Sequence, residues 1–179
     1  ASAAALALGG GEDLDTVVRR LASTPQIPGR MERISDRPCL VLRDYAHTPD
    51  ALERVLQTLR PLVAGRLIVV FGCGGDRDRG KRPIMGRIAA EWADMPVLTS
   101  DNPRTEDPEA ILDDVERGMG GADHLKIVDR REAIAAAISA AKGDDTVVLA
   151  GKGHETYQII GTERVAFDEA AIVRELVGP

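Results

Sequence analysis

The stretch Asp101-Asn102-Pro103-Arg104 brings an acid, an amide and a guanidinium together around a proline. Pro103 fixes its own backbone angle φ and favours an extended conformation for Asn102, so the polar side chains project from a stiff turn. An acid binds an ammonium and a guanidinium binds a carboxylate, which are the two charges of an amino-acid zwitterion. The tetrapeptide therefore indicates an amino-acid site, with a polar capping turn as the alternative.

A second polar segment covers residues 44–50. Asp44 offers a carboxylate to ribose hydroxyls, and Tyr45 or His47 offers a ring to a base or a hydrogen bond to a phosphate. Thr48 and Pro49 are explained by the start of a helix, with Thr48 as the N-cap. Capping leaves Asp44 and His47 unexplained, so both remain candidates for ligand binding.

The third polar segment, residues 72–82, is rich in glycine and charge. Gly75, Gly80 and Lys81 nearly match a nucleotide-binding P-loop, but Arg82 stands where that motif needs Ser or Thr to hold Mg²⁺. The loop is therefore predicted to present Arg77 and its neighbours to an anionic group instead. A solvated run of charges is the alternative.

Residues 151–155 form the last polar segment, Gly-Lys-Gly-His-Glu. Gly151 permits close backbone approach, and Glu155 offers a carboxylate to an ammonium. His154 is interpreted as a structural histidine that forms hydrogen bonds, with a catalytic histidine as the alternative. No set of side chains has the spacing of a structural metal site, and no Ser or Cys has a credible base, so neither a catalytic residue nor a metal ligand is predicted.

The composition limits the partners. The 179 residues carry a net charge of −6 and only 3% aromatic residues, which argues against nucleic-acid binding. Cys39 and Cys73 lack a second cysteine at metal or redox spacing, so free thiols in a reducing cytoplasm are expected. The apolar residues 1–8 are too short to span a bilayer. The chain starts in a helical pattern without Met and is therefore expected to be an excised fragment of a cytoplasmic protein that binds small molecules.

Strand-like runs alternate with helical patterns along most of the chain. The predicted strands cover residues 39–42, 67–71, 97–98, 126–128 and 146–150, and the predicted helices cover residues 49–59, 83–92, 108–119, 131–141 and 169–176. Such alternation predicts an α/β fold with a mostly parallel sheet flanked by helices, and a short antiparallel β pair near Gly161. The polar loops follow strand ends, so they are expected to converge on one crevice.

The N-terminal part is predicted to differ from the rest. Residues 1–8 are predicted as the end of a helix, and Asp13 is predicted to cap a second helix with apolar residues up to Leu21. Two prolines and a glycine make residues 24–30 a linker. The apolar face of the second helix is expected to lack a packing partner.

Four motifs in order carry a family resemblance: D-Y-A-H-T-P-D, F-G-C-G-G-D-R-D-x-G-K-R, D-N-P-R and A-G-K-G-H-E. With them the chain resembles the C-terminal part of MurE-type Mur ligases, the UDP-N-acetylmuramoyl-tripeptide synthetases. The resemblance implies that residues 1–33 end a central ATPase domain, with a hinge at Gly29-Arg30. It implies that residues 34–179 are a Rossmann-like C-terminal domain.

The resemblance also implies site residues. The residues implied to hold the incoming amino acid are Arg77, Asp101, Asn102, Arg104, Gly151 and Glu155, and those implied to meet ATP are Arg30, Asp44 and His47, with Tyr45 less firmly placed. Within the family, D-N-P-R goes with meso-diaminopimelate, whose distal carboxylate and ammonium would be bound by Arg104 and by the acids.

The implied reaction joins the amine of an amino acid to the carboxylate of a UDP-muramoyl-dipeptide. ATP with Mg²⁺ first converts that carboxylate into an acyl phosphate, which the amine then attacks. The family's triphosphate loop and Mg²⁺ ligands are missing from these 179 residues, so the chain alone is expected to bind ATP weakly and to be inactive. The alternatives are another Mur or folylpolyglutamate-type ligase, and a non-catalytic ligand-binding module.

Overall fold

Residues 9–178 are described by the structure, a computed structural model, so the helix predicted over residues 1–8 lies outside the described part. The helices are α1 (Leu14–Ala22), α2 (Pro49–Leu59), α3 (Lys81–Trp92), α4 (Pro108–Glu116), α5 (Arg130–Ala140) and α6 (Glu169–Val177). The strands are β1 (Glu32–Ser35), β2 (Leu40–Asp44), β3 (Leu67–Phe71), β4 (Met95–Leu98), β5 (Leu125–Lys126), β6 (Thr146–Ala150), β7 (Tyr157–Ile160) and β8 (Glu163–Ala166).

Six strands form the main sheet in the order β1-β2-β6-β3-β4-β5. The five neighbouring strands β2, β6, β3, β4 and β5 are parallel, and β1 pairs antiparallel with β2 at one edge. β7 and β8 form a separate antiparallel hairpin. The predicted mostly parallel α/β sheet and the late antiparallel pair are therefore confirmed. The edge strand β1 was not predicted, because its residues are polar and only partly buried.

The core lies on both faces of the sheet, as the continuous apolar run of β3 predicts. Leu67, Val69 and Phe71 pack on one face with α2, α3 and α4. Ile68 and Val70 pack on the other face with α5 and α6. Every residue of β3 is fully buried, which requires an apolar side chain at each position rather than alternation.

Several predicted boundaries were wrong by one to three residues. α3 begins at Lys81 rather than Pro83, since a proline fits the first turn of a helix. α4 ends at Glu116, short of residue 119, where Gly118 packs against α3 so tightly that a Cβ would lie 1.8 Å from the Pro83 oxygen. β5 has two residues, not three, at the open edge of the sheet.

The N-terminal helix packs loosely, in agreement with the expectation. Asp13 caps α1 by accepting a hydrogen bond from the Thr16 backbone N–H. Leu14, Val18 and Leu21 are 62%, 54% and 49% exposed. In residues 9–178 no helix has the length and apolar character needed to cross a membrane.

Candidate functional site

The polar loops meet over one cavity at the carboxyl edge of the sheet. They follow four neighbouring parallel strands, β2, β6, β3 and β4. The cavity has a volume of about 820 Å³, and its lining includes all residues predicted for the amino acid: Arg77, Asp101, Asn102, Arg104, Gly151 and Glu155. The expected convergence of the loops is therefore observed, although the ligand is not identified by geometry alone.

Arg104 is held in place by backbone oxygens. Its backbone has φ of +52°, an uncommon value for a residue with a side chain. Its Nη1 donates to the Gly75 oxygen over 2.9 Å and to the Asn102 oxygen over 3.3 Å. Gly75 lies so close to this turn that a Cβ would be 1.9 Å from the Pro103 oxygen. One edge of the guanidinium is thus anchored, and Nε and Nη2 have no hydrogen bond within residues 9–178.

The turn that carries Arg104 is also fixed by the β7–β8 hairpin. The Arg104 N–H donates to the Ile159 oxygen over 3.0 Å, and the Gly161 N–H donates to the Arg104 oxygen over 2.7 Å. Gln158 Nε2 donates to the Asp101 oxygen over 2.9 Å. The hairpin therefore compensates for the uncommon backbone of Arg104 and is part of the support of the site.

Asn102 connects the loops from inside rather than facing the cavity freely. Its Oδ1 accepts hydrogen bonds from Lys152 Nζ over 3.0 Å and from the Ile159 N–H over 2.9 Å. Its Nδ2 donates to Glu155 Oε2 over 3.3 Å. With two donors at one end and a carboxylate at the other, the orientation of the amide is determined.

Lys152 is the site residue that the sequence reasoning missed. Its side chain is 0% exposed and donates to Asn102 and to the Tyr157 oxygen, the latter over 2.8 Å. Its Nζ lies 3.5 Å from Asp101 Oδ1 and 3.7 Å from Glu155 Oε2. Lysine is almost never fully buried unless it is paired, so the residue type alone did not indicate a buried site residue. The signal that could have found it is its position between two glycines at the end of a strand.

The residues predicted for ATP lie beside the cavity. The guanidinium of Arg30 lies 5.2 Å from the centre of the Tyr45 ring, which is 4.6 Å from the His47 ring. Tyr45 and His47 line the cavity, whereas Arg30 and Asp44 do not. Asp44 is buried, and its Oδ2 accepts a hydrogen bond from the Met31 N–H over 2.8 Å. His154 is exposed, with its ring 5.9 Å from that of Tyr45.

The glycine-rich loop is not built as a P-loop. Arg82, at the position of the Mg²⁺-binding hydroxyl, is fully buried and bonded to Glu106 and Asp114. Arg77 is exposed at the cavity, and Lys81 Nζ donates to the His47 oxygen over 2.7 Å. The loop thus brings two cations to the rim, as predicted for an anionic ligand group.

Neither thiol is activated. Burial raises the pKa of Cys73 to about 12 and also raises the pKa of Cys39. A protonated, buried thiol is a poor nucleophile and a poor metal ligand. Within residues 9–178, no group of three or more His, Cys, Asp or Glu side chains is arranged to hold a metal ion.

Glu106 ties the glycine-rich loop to the Asp101–Arg104 turn. It accepts hydrogen bonds from Arg82 Nη2 over 2.8 Å and from the Asp76 N–H over 2.6 Å. The bond from Arg82 is the main reason that the pKa of Glu106 falls from 4.5 to about 2. Asp76 in turn accepts from the Thr105 hydroxyl over 2.9 Å. The ionised carboxylate therefore stabilises both loops.

We expect this carboxylate to contribute to the pH dependence of stability. Its pKa is depressed in the folded state, so its contribution is present above the unfolded pKa of about 4.3 and is lost as the pH falls towards 2. Glu106→Gln should therefore flatten the decline of the urea midpoint over that interval. The exposed Glu163, changed to Gln, is the control. An equal decline in the wild type and in Glu106→Gln would contradict the linkage.

The family model of the Mur ligase glutamate ligase domain matches residues 29–153. The chain belongs to the Mur ligase family. It is 57% identical over 175 residues to the UDP-N-acetylmuramoyl-L-alanyl-D-glutamate–2,6-diaminopimelate ligase of Gloeobacter violaceus, covering 96% of this chain and 35% of that protein. It is 48% identical over 170 residues to the ligase of the same name from Clostridium tetani, covering 93% of this chain and 35% of that protein. The resemblance read from the four motifs is confirmed.

Solved structures give the same result for the fold of this Mur ligase chain. A diaminopimelate ligase structure is 48% identical with a TM-score of 0.82, covering 98% of this chain and 36% of that chain. The structure of Mycobacterium tuberculosis folylpolyglutamate synthase, solved with ADP and AMPPCP, is 25% identical with a TM-score of 0.60. The match covers 94% of this chain and 36% of that chain. The chain spans about a third of the length of these relatives.

Proposed function

We propose that this chain provides the amino-acid site and part of the ATP site of a ligase that adds meso-diaminopimelate to UDP-N-acetylmuramoyl-L-Ala-D-Glu in peptidoglycan synthesis. The observation that carries the proposal is the charge pattern of one cavity. Arg77 and Arg104 offer guanidinium groups, and Asp101 and Glu155 offer carboxylates. The relatives that are 48–57% identical are named as 2,6-diaminopimelate ligases, which supports this choice of amino acid.

The distal end of diaminopimelate carries both an ammonium and a carboxylate, whereas lysine carries only the ammonium. The free edge of the Arg104 guanidinium matches the distal carboxylate, because a planar fork binds a carboxylate through two hydrogen bonds. Asp101 and Glu155 match the ammonium. A site with these groups disfavours lysine, since binding lysine leaves the guanidinium without a partner.

The contribution of the chain to the reaction is positioning. In the proposed sequence ATP phosphorylates the carboxylate of the UDP-muramoyl-dipeptide, and the amine of diaminopimelate attacks the resulting acyl phosphate, releasing phosphate. Fixing both ends of the amino acid holds its amine in an orientation ready for attack. The reaction between amine and acyl phosphate then behaves as a unimolecular step rather than a bimolecular one. No side chain of this chain is assigned as an acid, a base or a nucleophile.

We assign ATP to the rim formed by Arg30, Tyr45 and His47, with Asp44 behind it. Residues 1–33 are proposed to belong to the end of a preceding ATPase domain, and residues 34–179 to a C-terminal domain that closes on it. The phosphates and Mg²⁺ are assigned to other parts of the ligase, because Arg82 occupies the hydroxyl position of the P-loop-like segment and is buried in ion pairs with Glu106 and Asp114.

The experiment is an addition assay with the complete ligase that contains this sequence. ATP and UDP-N-acetylmuramoyl-L-Ala-D-Glu are supplied with meso-diaminopimelate, L-lysine or L-glutamate, and the products are identified by mass spectrometry. We expect a tripeptide product with diaminopimelate and ADP release that depends on it. In a parallel assay with a folate as the acceptor, addition of L-glutamate would favour the folylpolyglutamate-type alternative, which the similarity to folylpolyglutamate synthase suggests.

The same assignment predicts the behaviour of the 179-residue chain by itself. Calorimetry should show no binding of ATP at micromolar concentration, because the groups assigned to the phosphates lie elsewhere. Micromolar affinity would contradict that assignment while leaving the amino-acid site open to its own test.

A further inference from the structure

Lys152 has no role in the function proposed above, yet it lies against three of the residues assigned to the amino acid. Its fully buried ammonium bonds Asn102 and lies 3.5 Å from Asp101 and 3.7 Å from Glu155. Asp101 Oδ1 is buried and has no hydrogen-bond partner among residues 9–178. A single cation therefore lies close to both of the acids assigned to the amino acid.

The charges at this end of the cavity balance. Asp101 and Glu155 lie close to Lys152, and Arg104 lines the same cavity, so the formal charges of these two acids and two bases cancel. The remaining ionic groups near Lys152 are Arg130 and Glu169, which pair with each other. A neutral set of charges complements the distal end of diaminopimelate, where an ammonium and a carboxylate cancel. Without Lys152 the set would have one excess negative charge, which complements the lone distal ammonium of lysine.

The protonation of Lys152 follows from its surroundings. The pKa of Lys152 is lowered from its ordinary value, mainly by burial and also by Arg130, although Asp101, Glu155 and Glu169 act in the opposite direction. The hydrogen bonds of its ammonium to the Asn102 side chain and to the Tyr157 oxygen use acceptors only, which is the pattern that an ammonium requires.

We propose that Lys152 is a specificity-determining positioning residue: it neutralises the acids of the cavity and fixes the Asn102 amide, so that the site prefers a distal zwitterion to a distal cation. This role rests on the proposed function. Lys152 contacts the residues assigned to the amino acid and acts through them, so its removal should change the choice between amino acids more than the use of ATP.

The test compares kcat/KM for meso-diaminopimelate with kcat/KM for L-lysine in the complete ligase. In Lys152→Met this ratio should fall about tenfold or more at about pH 8.5, while the KM for ATP stays unchanged. Towards about pH 6 the ratio should recover, because the one excess negative charge left in the site favours the uptake of a proton there. The wild type should show no such pH dependence.

Lys142→Met is the matched control, since Lys142 is an exposed lysine outside the cavity. The double variant Lys152→Met/Asp101→Asn restores neutrality, so its ratio should again be independent of pH. If Lys152→Met does not fold, Lys152→Arg and the double variant take over the test, and a pH-dependent ratio in either overturns the proposal.

Other outcomes separate this role from simpler explanations. An equal loss for both amino acids at every pH would make Lys152 merely structural and overturn the proposal. A wild-type ligase that does not add diaminopimelate would overturn the proposed function as well. Normal addition by the wild type with an unchanged ratio in Lys152→Met would overturn the role of Lys152 alone.

Discussion

Arg104→Lys should raise the KM of the complete ligase for meso-diaminopimelate roughly 30- to 150-fold, which corresponds to about 2–3 kcal/mol for a hydrogen bond to a charged group. Lysine keeps the charge but loses the planar fork that bonds a carboxylate twice. It also cannot bond the Gly75 and Asn102 oxygens, which now hold one edge of the guanidinium, and still reach the ligand. The preference of the ligase for diaminopimelate over lysine should weaken in the same variant.

The measurement is steady-state kinetics with both amino acids and with ATP. The KM for ATP should change little, because within residues 9–178 Arg104 has no hydrogen bond or ion pair to the residues assigned to ATP. Arg87→Lys is the control, since Arg87 is an exposed arginine on α3 away from the cavity. Unaltered selectivity and KM in Arg104→Lys would show that Arg104 does not bind the distal carboxylate, and the assignment of D-N-P-R to specificity would fail with it.

The elements that could be predicted from sequence are those with a strong apolar pattern. Leu67–Phe71 and Thr146–Ala150 have continuous apolar runs, and both are central strands with the predicted bounds. Pro49–Leu59 was bounded correctly by its Thr48 cap and its apolar spacing. β1 escaped prediction because an edge strand half exposed to solvent needs no apolar run.

The convergence of the loops could also be predicted, since it follows from topology alone. What could not be predicted is the network behind the cavity. Burial of Lys152, Arg82 and Arg130 depends on side-chain partners that lie 24 to 50 residues away in sequence, such as Glu106, Glu169 and Asn102. Charged residue types signal exposure, so only the three-dimensional pairing reveals these residues as buried. The inward orientation of the Asn102 amide was missed for the same reason.

The buried pair of Arg130 and Glu169 supports the site from below, and breaking it should have the largest effect on stability. Both side chains are 0% exposed, and Arg130 Nε donates to Glu169 Oε1 over 2.8 Å. Arg130 Nη2 also donates over 3.0 Å to the oxygen of Ala150, the last residue before the Gly151–Glu155 loop. The pair thus joins α5 and α6 to the strand that carries this loop.

Glu169→Leu should destabilise the fold by about 3–5 kcal/mol, because it leaves the guanidinium of Arg130 buried without its counter-charge. That is a large part of the stability of an ordinary domain, so the urea midpoint of the 179-residue chain should fall markedly. Glu175→Leu is the matched control on the same helix: Glu175 pairs with Arg131 in solvent, and its loss should barely move the midpoint.

The double variant Arg130→Met/Glu169→Leu separates the charge from the packing. Removing both charges removes the penalty of an unpaired ion, so the double variant should be more stable than Glu169→Leu although it has lost more polar contacts. If instead the two substitutions destabilised additively, the hydrogen bonds to Ala150 and across the helices, rather than charge compensation, would hold α5 and α6 to the strand beneath the site.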